Sequence, residues 1–329
     1  MKQRRKIAIY WASSCGGCEI AFANLHEKLL VADEHFELVF CPCLVDTKVE
    51  DVERMADRGI AITLFNGAIR TDGNEEMAHL MRRKSELLIA YGACAMSGAI
   101  PALSNLHSRD NHFQAVYREN ATIDNPAGAQ PQASTAVPEG VLVLPRFHAA
   151  VKNLVQVVDV DYSIPGCPPE STQLWKILEA LIAGTPLPAK GSVLGAGSST
   201  CCDECKRERK KKTIQRFYRT FEIIPDTQKC LLEQGILCMG VVTRDGCGAL
   251  CPQVNMPCIG CYGAPEGVDD QGAKMVAAIG SVLDIGEYKG MTEEQIRERT
   301  DAVIDTLPDL AGTFYKFSLG RTLPEGKAQ

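Results

Sequence analysis

Over roughly the first 185 residues, short apolar runs alternate with longer stretches whose apolar positions recur every three or four residues. Ile7–Trp11, Phe36–Phe40, Ile60–Phe65, Leu87–Tyr91 and Val155–Tyr162 are apolar enough to be strands covered on both faces. Between them the periodicity predicts helices over Glu19–Val31, with Ile20, Ala23 and Leu30 on the apolar stripe, and over Val49–Ala56, Asn74–Lys84 and Glu170–Ala183. Strands separated by helices of this length imply an α/β fold, a doubly wound parallel sheet with helices on both faces.

A polar stretch rich in Pro, Ala and Gln, about Asn120–Glu139, interrupts the alternation and reads as a surface excursion. After the Gly- and Pro-rich segments near residues 184–199 the character changes. From Cys201 to Cys261 there are nine cysteines, few strand signals and a basic run, Lys206-Arg-Glu-Arg-Lys-Lys-Lys212, read as a helix. A segment with so little apolar periodicity needs an inorganic core to hold it. The tail turns helical again over Gly272–Leu283 and Thr292–Leu307, and Phe314-Tyr-Lys-Phe317 is apolar enough for either a core or an interface. The expected division is a sheet domain over 1–190 and a mostly irregular or helical domain over 191–329.

The chain has 329 residues and a formal net charge of −6, which supplies no global field for phosphate and argues against nucleic-acid binding. No run approaches the roughly 18–20 apolar residues of a membrane span. The basic N-terminus is followed by no apolar h-region, so export on its own signal is not expected and the expected location is cytoplasmic. Against that background 15 cysteines stand out, because thiols stay reduced in the cytoplasm and structural disulfides are rare there. Cysteines used this heavily point to metal.

Twelve of them sort into three groups. Cys15-Gly-Gly-Cys18 follows the first strand, Cys94 follows Leu87–Tyr91, and Pro165-Gly-Cys167-Pro-Pro169 follows the strand ending near Tyr162. In an open α/β sheet ligands collect at the carboxyl ends of strands, so these four thiols share one edge. Four convergent thiolates with glycines allowing close backbone approach suit an iron–sulfur cubane. The second group is Cys202, Cys205, Cys230 and Cys238; the third is Cys247, Cys251, Cys258 and Cys261. Cys201 is an alternative to Cys202, since spacing does not separate neighbours. Zinc is the competing occupant: a zinc ribbon places its pairs about 15–20 residues apart, which the second and third groups together do not, though the third alone remains compatible with zinc. Cys41 and Cys43 alternate at a strand end and read as packing. Gly195-Ala-Gly197 lacks the flanking strand and helix of a dinucleotide fingerprint.

Together, Cys15-x-x-Cys18, Cys94, Pro-Gly-Cys167-Pro-Pro and the C-terminal cysteine series resemble the small subunit of a [NiFe] hydrogenase, in particular the cytosolic methyl-viologen-reducing, heterodisulfide reductase-associated type. The first half also resembles the 20 kDa subunit of NADH:quinone oxidoreductase, which lacks the C-terminal series. The resemblance implies a flavodoxin-like domain followed by an iron–sulfur domain, and three [4Fe–4S] clusters. The proximal one would be held by Cys15, Cys18, Cys94 and Cys167, the medial by Cys247, Cys251, Cys258 and Cys261, and the distal by Cys202, Cys205, Cys230 and Cys238, with Cys201 in reserve for Cys202. Cys202 stands where periplasmic relatives have a histidine, and Cys251 supplies a fourth medial thiol. A family glutamate that relays protons stands two positions after the second cysteine, whereas here Glu19 follows Cys18 directly and Ile20 occupies that place. The resemblance implies an oxidoreductase subunit that passes electrons between a partner large subunit, where hydrogen is split, and an iron–sulfur or flavin acceptor subunit. The alternatives from other classes are an electron-transfer subunit of a complex without a working nickel site, a zinc-stabilised interaction protein, and a nucleotide-binding flavodoxin-like enzyme.

Overall fold

The computed structural model describes residues 4–210, 213–286, 289–307 and 309–322. Five parallel strands form the central sheet: β1 (Arg5–Trp11), β2 (Phe36–Phe40), β3 (Ile60–Asn66), β4 (Ser85–Tyr91) and β5 (Tyr162–Ile164), in the order β2-β1-β3-β4-β5. The order reverses between β1 and β3, where Trp11 pairs with Asn66, and this switch point opens a crevice at the carboxyl ends of the strands.

Alternation along the strands fills two apolar layers. Ile7, Ile9, Ile62, Leu64 and Ile89 pack with Leu174, Trp175 and Leu178 of the helix Ser171–Ala183, while Ala8, Phe65 and Leu88 pack with Ala78 and Met81 of the helix Asp72–Lys84. A sheet covered on both sides explains why its strands read as continuous apolar runs.

Two predicted elements differ from the structure. The helix expected over Glu19–Val31 is two helices, Gly17–Ala23 and Lys28–His35, separated by a turn in which His26 has φ +51°. The buried face is Cys18, Ala21, Phe22 and Leu25, whereas Ile20 (60% exposed), Ala23 and Leu30 (73% exposed) face outward. Both phases carry apolar residues, and the one bearing the Phe22 ring meets the sheet. The strand expected over Val155–Tyr162 begins only at Tyr162. Leu154–Gln156 is a short 3-10 turn capped by Asn153, and the buried Asp161 carboxylate accepts the Leu88 N–H (2.8 Å), breaking the ladder. Asp161 also pairs with Arg82 (2.6 Å) and Lys190. Burial alone would raise its pKa, but these hydrogen bonds hold it below the ordinary carboxylate range.

The excursion after the helix Arg109–Gln114 contains an exposed two-stranded ribbon, Ser134–Val137 with Gly140–Val143. The chain forms two compact units, the first running to Leu194 and resuming at Leu319, the second spanning Gly195–Ser318. In the first, the returning Gly320 carbonyl accepts from Gln156 (3.2 Å). Among the described residues the second unit has only isolated bridges and no multi-residue strand. Its core mixes Ile214, Phe217, Met239, Val242 and Met275 with the thiols of Cys201 and Cys258, and Phe314 and Phe317 are buried. Gln271, at the head of the helix Gln271–Gly280, donates to the carbonyls of Val242 (3.1 Å) and Gly260 (3.2 Å), tying the helix to the cysteine loops.

Candidate metal centres

Three strand ends bring the first thiol group together. Cys15 and Cys18 lie on the loop leaving β1 and the first turn of the helix Gly17–Ala23, and Gly16 at φ +81° begins that turn with the Trp11 ring 3.0 Å from where a Cβ would stand. Past β4, Gly92 at φ +86° leads into the helix Ala93–Ser97 that carries Cys94. The N–H groups of Gly92 and Ala93 donate to the carbonyls of Ile164 and Gly166, both at 2.8 Å, which locks this turn to the loop bearing Cys167. A Cβ on Gly92 would collide with the Cys18 sulfur, and one on Gly166 would lie 2.5 Å from Pro169 Cα. Glycine is therefore required at both positions.

Cys18, Cys94 and Cys167 are pushed up by burial and by the charges of neighbouring cysteines. Burial first, then the charges of Glu19, Cys94, Cys167 and Cys15, push the Cys18 thiol well above its ordinary range. Burial, with Cys167 and Cys15, raises Cys94 to about 12. Thiolates crowded and desolvated in this way are stable only when a cation neutralises them. The Tyr91 hydroxyl donates to the Cys18 carbonyl at 2.9 Å and fixes the ligand loop. Glu19 is buried beside them, both carboxylate oxygens accepting from Asn66 Nδ2 at 2.7 and 2.8 Å, while Asn66 Oδ1 is buried without a partner. Asn66 carried no sequence expectation; its signal was the single amide closing strand β3, whose only other polar residue is Thr63.

In the second unit, Cys202, Cys205, Cys230 and Cys238 line one cavity with Cys201, Arg207, Arg209, Leu231, Gly240 and Pro252. Thr200 and Asp203 cap the single helical turn Cys201–Glu204 that starts this group. Burial is the main cause that raises Cys202 and Cys238 to about 12. The third group is recognisable by hydrogen bonds aimed at sulfur, the usual support of iron–sulfur ligands. Cys247 accepts the Ala249 and Leu250 N–H groups and Cys258 the Gly260 N–H, while Cys238 of the second group accepts the Cys258 N–H at 3.3 Å. Cys251 is exposed but feels the charges of Cys258 and Cys247, and Cys261 is half-buried.

Cys201, the alternative to Cys202, is fully buried, and its single S–H lies within reach of both the Cys247 and the Cys258 sulfur, which holds those two thiols below their ordinary range. It therefore borders the third group, although it also lines the cavity of the second. Among the described residues no three His, Cys, Asp or Glu side chains are gathered tightly enough to hold a single metal ion. Cys41 is buried, with its sulfur 3.5 Å from that of the exposed Cys43. The basic run is not helical over Lys206–Lys210, and Lys211 and Lys212 lie outside the described residues.

The glycine cradle around Cys18, the mutually charged thiols and the amide donors at the sulfurs fit iron–sulfur clusters. A fold with the flavodoxin strand order and thiols at the carboxyl ends of three of its strands defines an iron–sulfur protein of the α/β class. The family profile described as "NADH ubiquinone oxidoreductase, 20 Kd subunit" matches residues 15–181. The iron–sulfur subunit of the F420-non-reducing hydrogenase of Archaeoglobus profundus is 38% identical over 95% of this chain and 96% of its own length. The corresponding F420-non-reducing hydrogenase subunit of Methanothermobacter marburgensis is 35% identical over 98% of this chain and 97% of its own. A chain of a solved NAD+-reducing [NiFe]-hydrogenase in the H2-reduced state aligns with a TM-score of 0.48 and 28% identity, covering 56% of this chain and 96% of that one. The chain belongs to the hydrogenase small-subunit family that includes these two F420-non-reducing hydrogenase subunits. It is thus an oxidoreductase subunit that binds iron–sulfur clusters, and the hydrogen-splitting site lies in a partner large subunit. Among the described residues no helix is long and apolar enough to cross a membrane.

Proposed function

We propose that this chain is the electron-transfer small subunit of a cytoplasmic [NiFe] hydrogenase, with three [4Fe–4S] clusters between the nickel–iron site of the large subunit and an iron–sulfur or flavin acceptor subunit. The observation that supports the reading is that Cys15 and Cys18, Cys94 and Cys167 follow the carboxyl ends of β1, β4 and β5 within charge reach of one another. These four would hold the proximal cluster; Cys247, Cys251, Cys258 and Cys261 the medial; Cys202, Cys205, Cys230 and Cys238 the distal. Such clusters store and pass single electrons, with potentials set by thiolate number, hydrogen bonds and burial.

The protein's part is to hold and tune them. Gly92 and Gly166 let two loops close on the proximal thiols. The N–H groups directed at Cys238, Cys247 and Cys258 spread the negative charge of these sulfurs. Glu19, whose carboxylate accepts from the Asn66 amide, would be the candidate for proton relay at the proximal end, one position before the family's place for that glutamate. At the distal end the acceptor would meet an exposed loop whose Phe221 (84%) and Ile224 (97%) are the most exposed large apolar side chains among the described residues. The basic segment Lys206–Lys210 next to Cys205 favours an acidic partner there.

A metal and acid-labile sulfide count on the anaerobic native complex tests the reading. About 12 iron and as many sulfides are expected from this chain, with nickel in the same complex. Iron without nickel would move the chemistry to another kind of partner, and zinc without iron would overturn the reading. Replacing Cys94 or Cys167 by Ser should abolish hydrogen-dependent dye reduction while nickel stays bound in the large subunit.

A further inference from the structure

Two arginines line the cavity of Cys202, Cys205, Cys230 and Cys238, and the chain treats them differently. The Arg207–Arg209 segment is extended and bridges in parallel to the Gln228–Cys230 segment, with Glu208 N–H donating to the Gln228 carbonyl and Cys230 N–H to the Glu208 carbonyl, both at 2.8 Å. Extended backbone turns alternate side chains the same way. Arg207 and Arg209 accordingly both face the thiols, while the exposed Glu208 pairs with Lys210 (3.1 Å).

Arg207 is saturated. Its guanidinium donates to the carbonyls of Pro252, Asp226 and Lys229 and to Asn255 Oδ1, at 2.7–3.0 Å. Its charge is spent on loop carbonyls, and its role is to pin the loops that carry the site. Arg209 makes no hydrogen bond or ion pair among the described residues. Its cation acts on Cys202, and also on Asp203, whose carboxylate is already engaged by Thr200.

We propose that Arg209 is the positioning residue that raises the reduction potential of the distal cluster, by holding an unpaired cation at the thiolate cavity, while Arg207 is its scaffold. Adding an electron makes a thiolate-bound cluster more negative, so a fixed cation favours the reduced state. This makes the outermost site the better electron sink and draws electrons toward the acceptor. The inference rests on the reading that these four cysteines hold a cluster.

The test is a potentiometric titration of the intact anaerobic complex, followed by electron paramagnetic resonance. Arg209→Gln should lower the midpoint potential of the distal signal, and Arg209→Glu should lower it by about twice as much, because two charges change instead of one. Arg209→Lys should recover most of the wild-type value. The shift should shrink as salt rises, since Arg209 is exposed. Signal shape and iron content should stay unchanged in all three variants, and the other two potentials should stay in place. Arg207→Gln should instead weaken or abolish the distal signal. A distal potential that is the same in the Glu variant as in the wild type overturns the proposal. A wild-type complex short by about four iron atoms and lacking a distal signal overturns the underlying reading and the proposal together.

Discussion

The two units of this chain rely on their cysteines to different degrees. In the first, Cys15, Cys94 and Cys167 sit at the rim of a sheet and only Cys18 of the group joins its core, which is built mainly of apolar side chains, Ile7, Ile9, Ile62, Leu64 and Leu88 among them. In the second, the thiols of Cys201 and Cys258 belong to the core itself, and the remainder is bridges and short helical turns. A site mounted on a rigid sheet can lose its metal and keep its geometry. Where the thiols are core, metal affinity and folding become one free energy.

The largest effect follows directly. If the intact chain is produced without iron–sulfur assembly, the Gly195–Ser318 unit should be cleaved rapidly by protease while the sheet unit persists as a stable fragment; equal survival of the two would break the contrast. Within the sheet unit, Leu25→Ala should cost about 3 kcal/mol, because Leu25 is 3% exposed in the core that Phe22 also enters. Ile20→Ala, one residue phase away and outward-facing, should cost about 0.5 kcal/mol or less. Denaturant unfolding of the two variants thus reads which side of this helix and the turn that follows it packs into the sheet core.

A smaller effect is expected at Asp161. Asp161→Asn should cost about 2 kcal/mol at neutral pH, less than a sealed ion pair, because Lys190 is 68% exposed and screened. Since the folded carboxyl lies below its unfolded value, its contribution is present above about pH 4 and is lost as the pH falls through the folded value. A pH series of thermal melts should therefore show a shallower acid limb in the Asn variant.

Much of this was legible in the chain. Four strands and the helices over Asn74–Lys84 and Glu170–Ala183 appeared within a few residues of their positions, because strands covered on both faces must be apolar throughout and a half-covered helix must repeat every three or four residues. The strand ends carrying Cys15, Cys94 and Cys167 could be named for the same reason. The break after Ala23 could not, since His26 at φ +51° has no residue-type signal. Nor could β5, whose start depends on a hydrogen bond from Leu88 to Asp161, 73 residues away.

The amino-acid sequence alone determined the layered α/β architecture and the strand ends at which Cys15, Cys94 and Cys167 stand, with the glycines beside them, because these follow from local periodicity and spacing. Which way each group points was decided only in the folded chain. Cys201 and Cys202 are neighbours on one helical turn, yet one thiol lies beside Cys247 and Cys258 while the other lies near Arg209. Arg207 and Arg209 share a charge and a face, yet one is consumed by carbonyls and the other is left to the thiols. Spacing along the chain fixes which residues can be neighbours, and long-range packing and hydrogen bonding fix which of them meet.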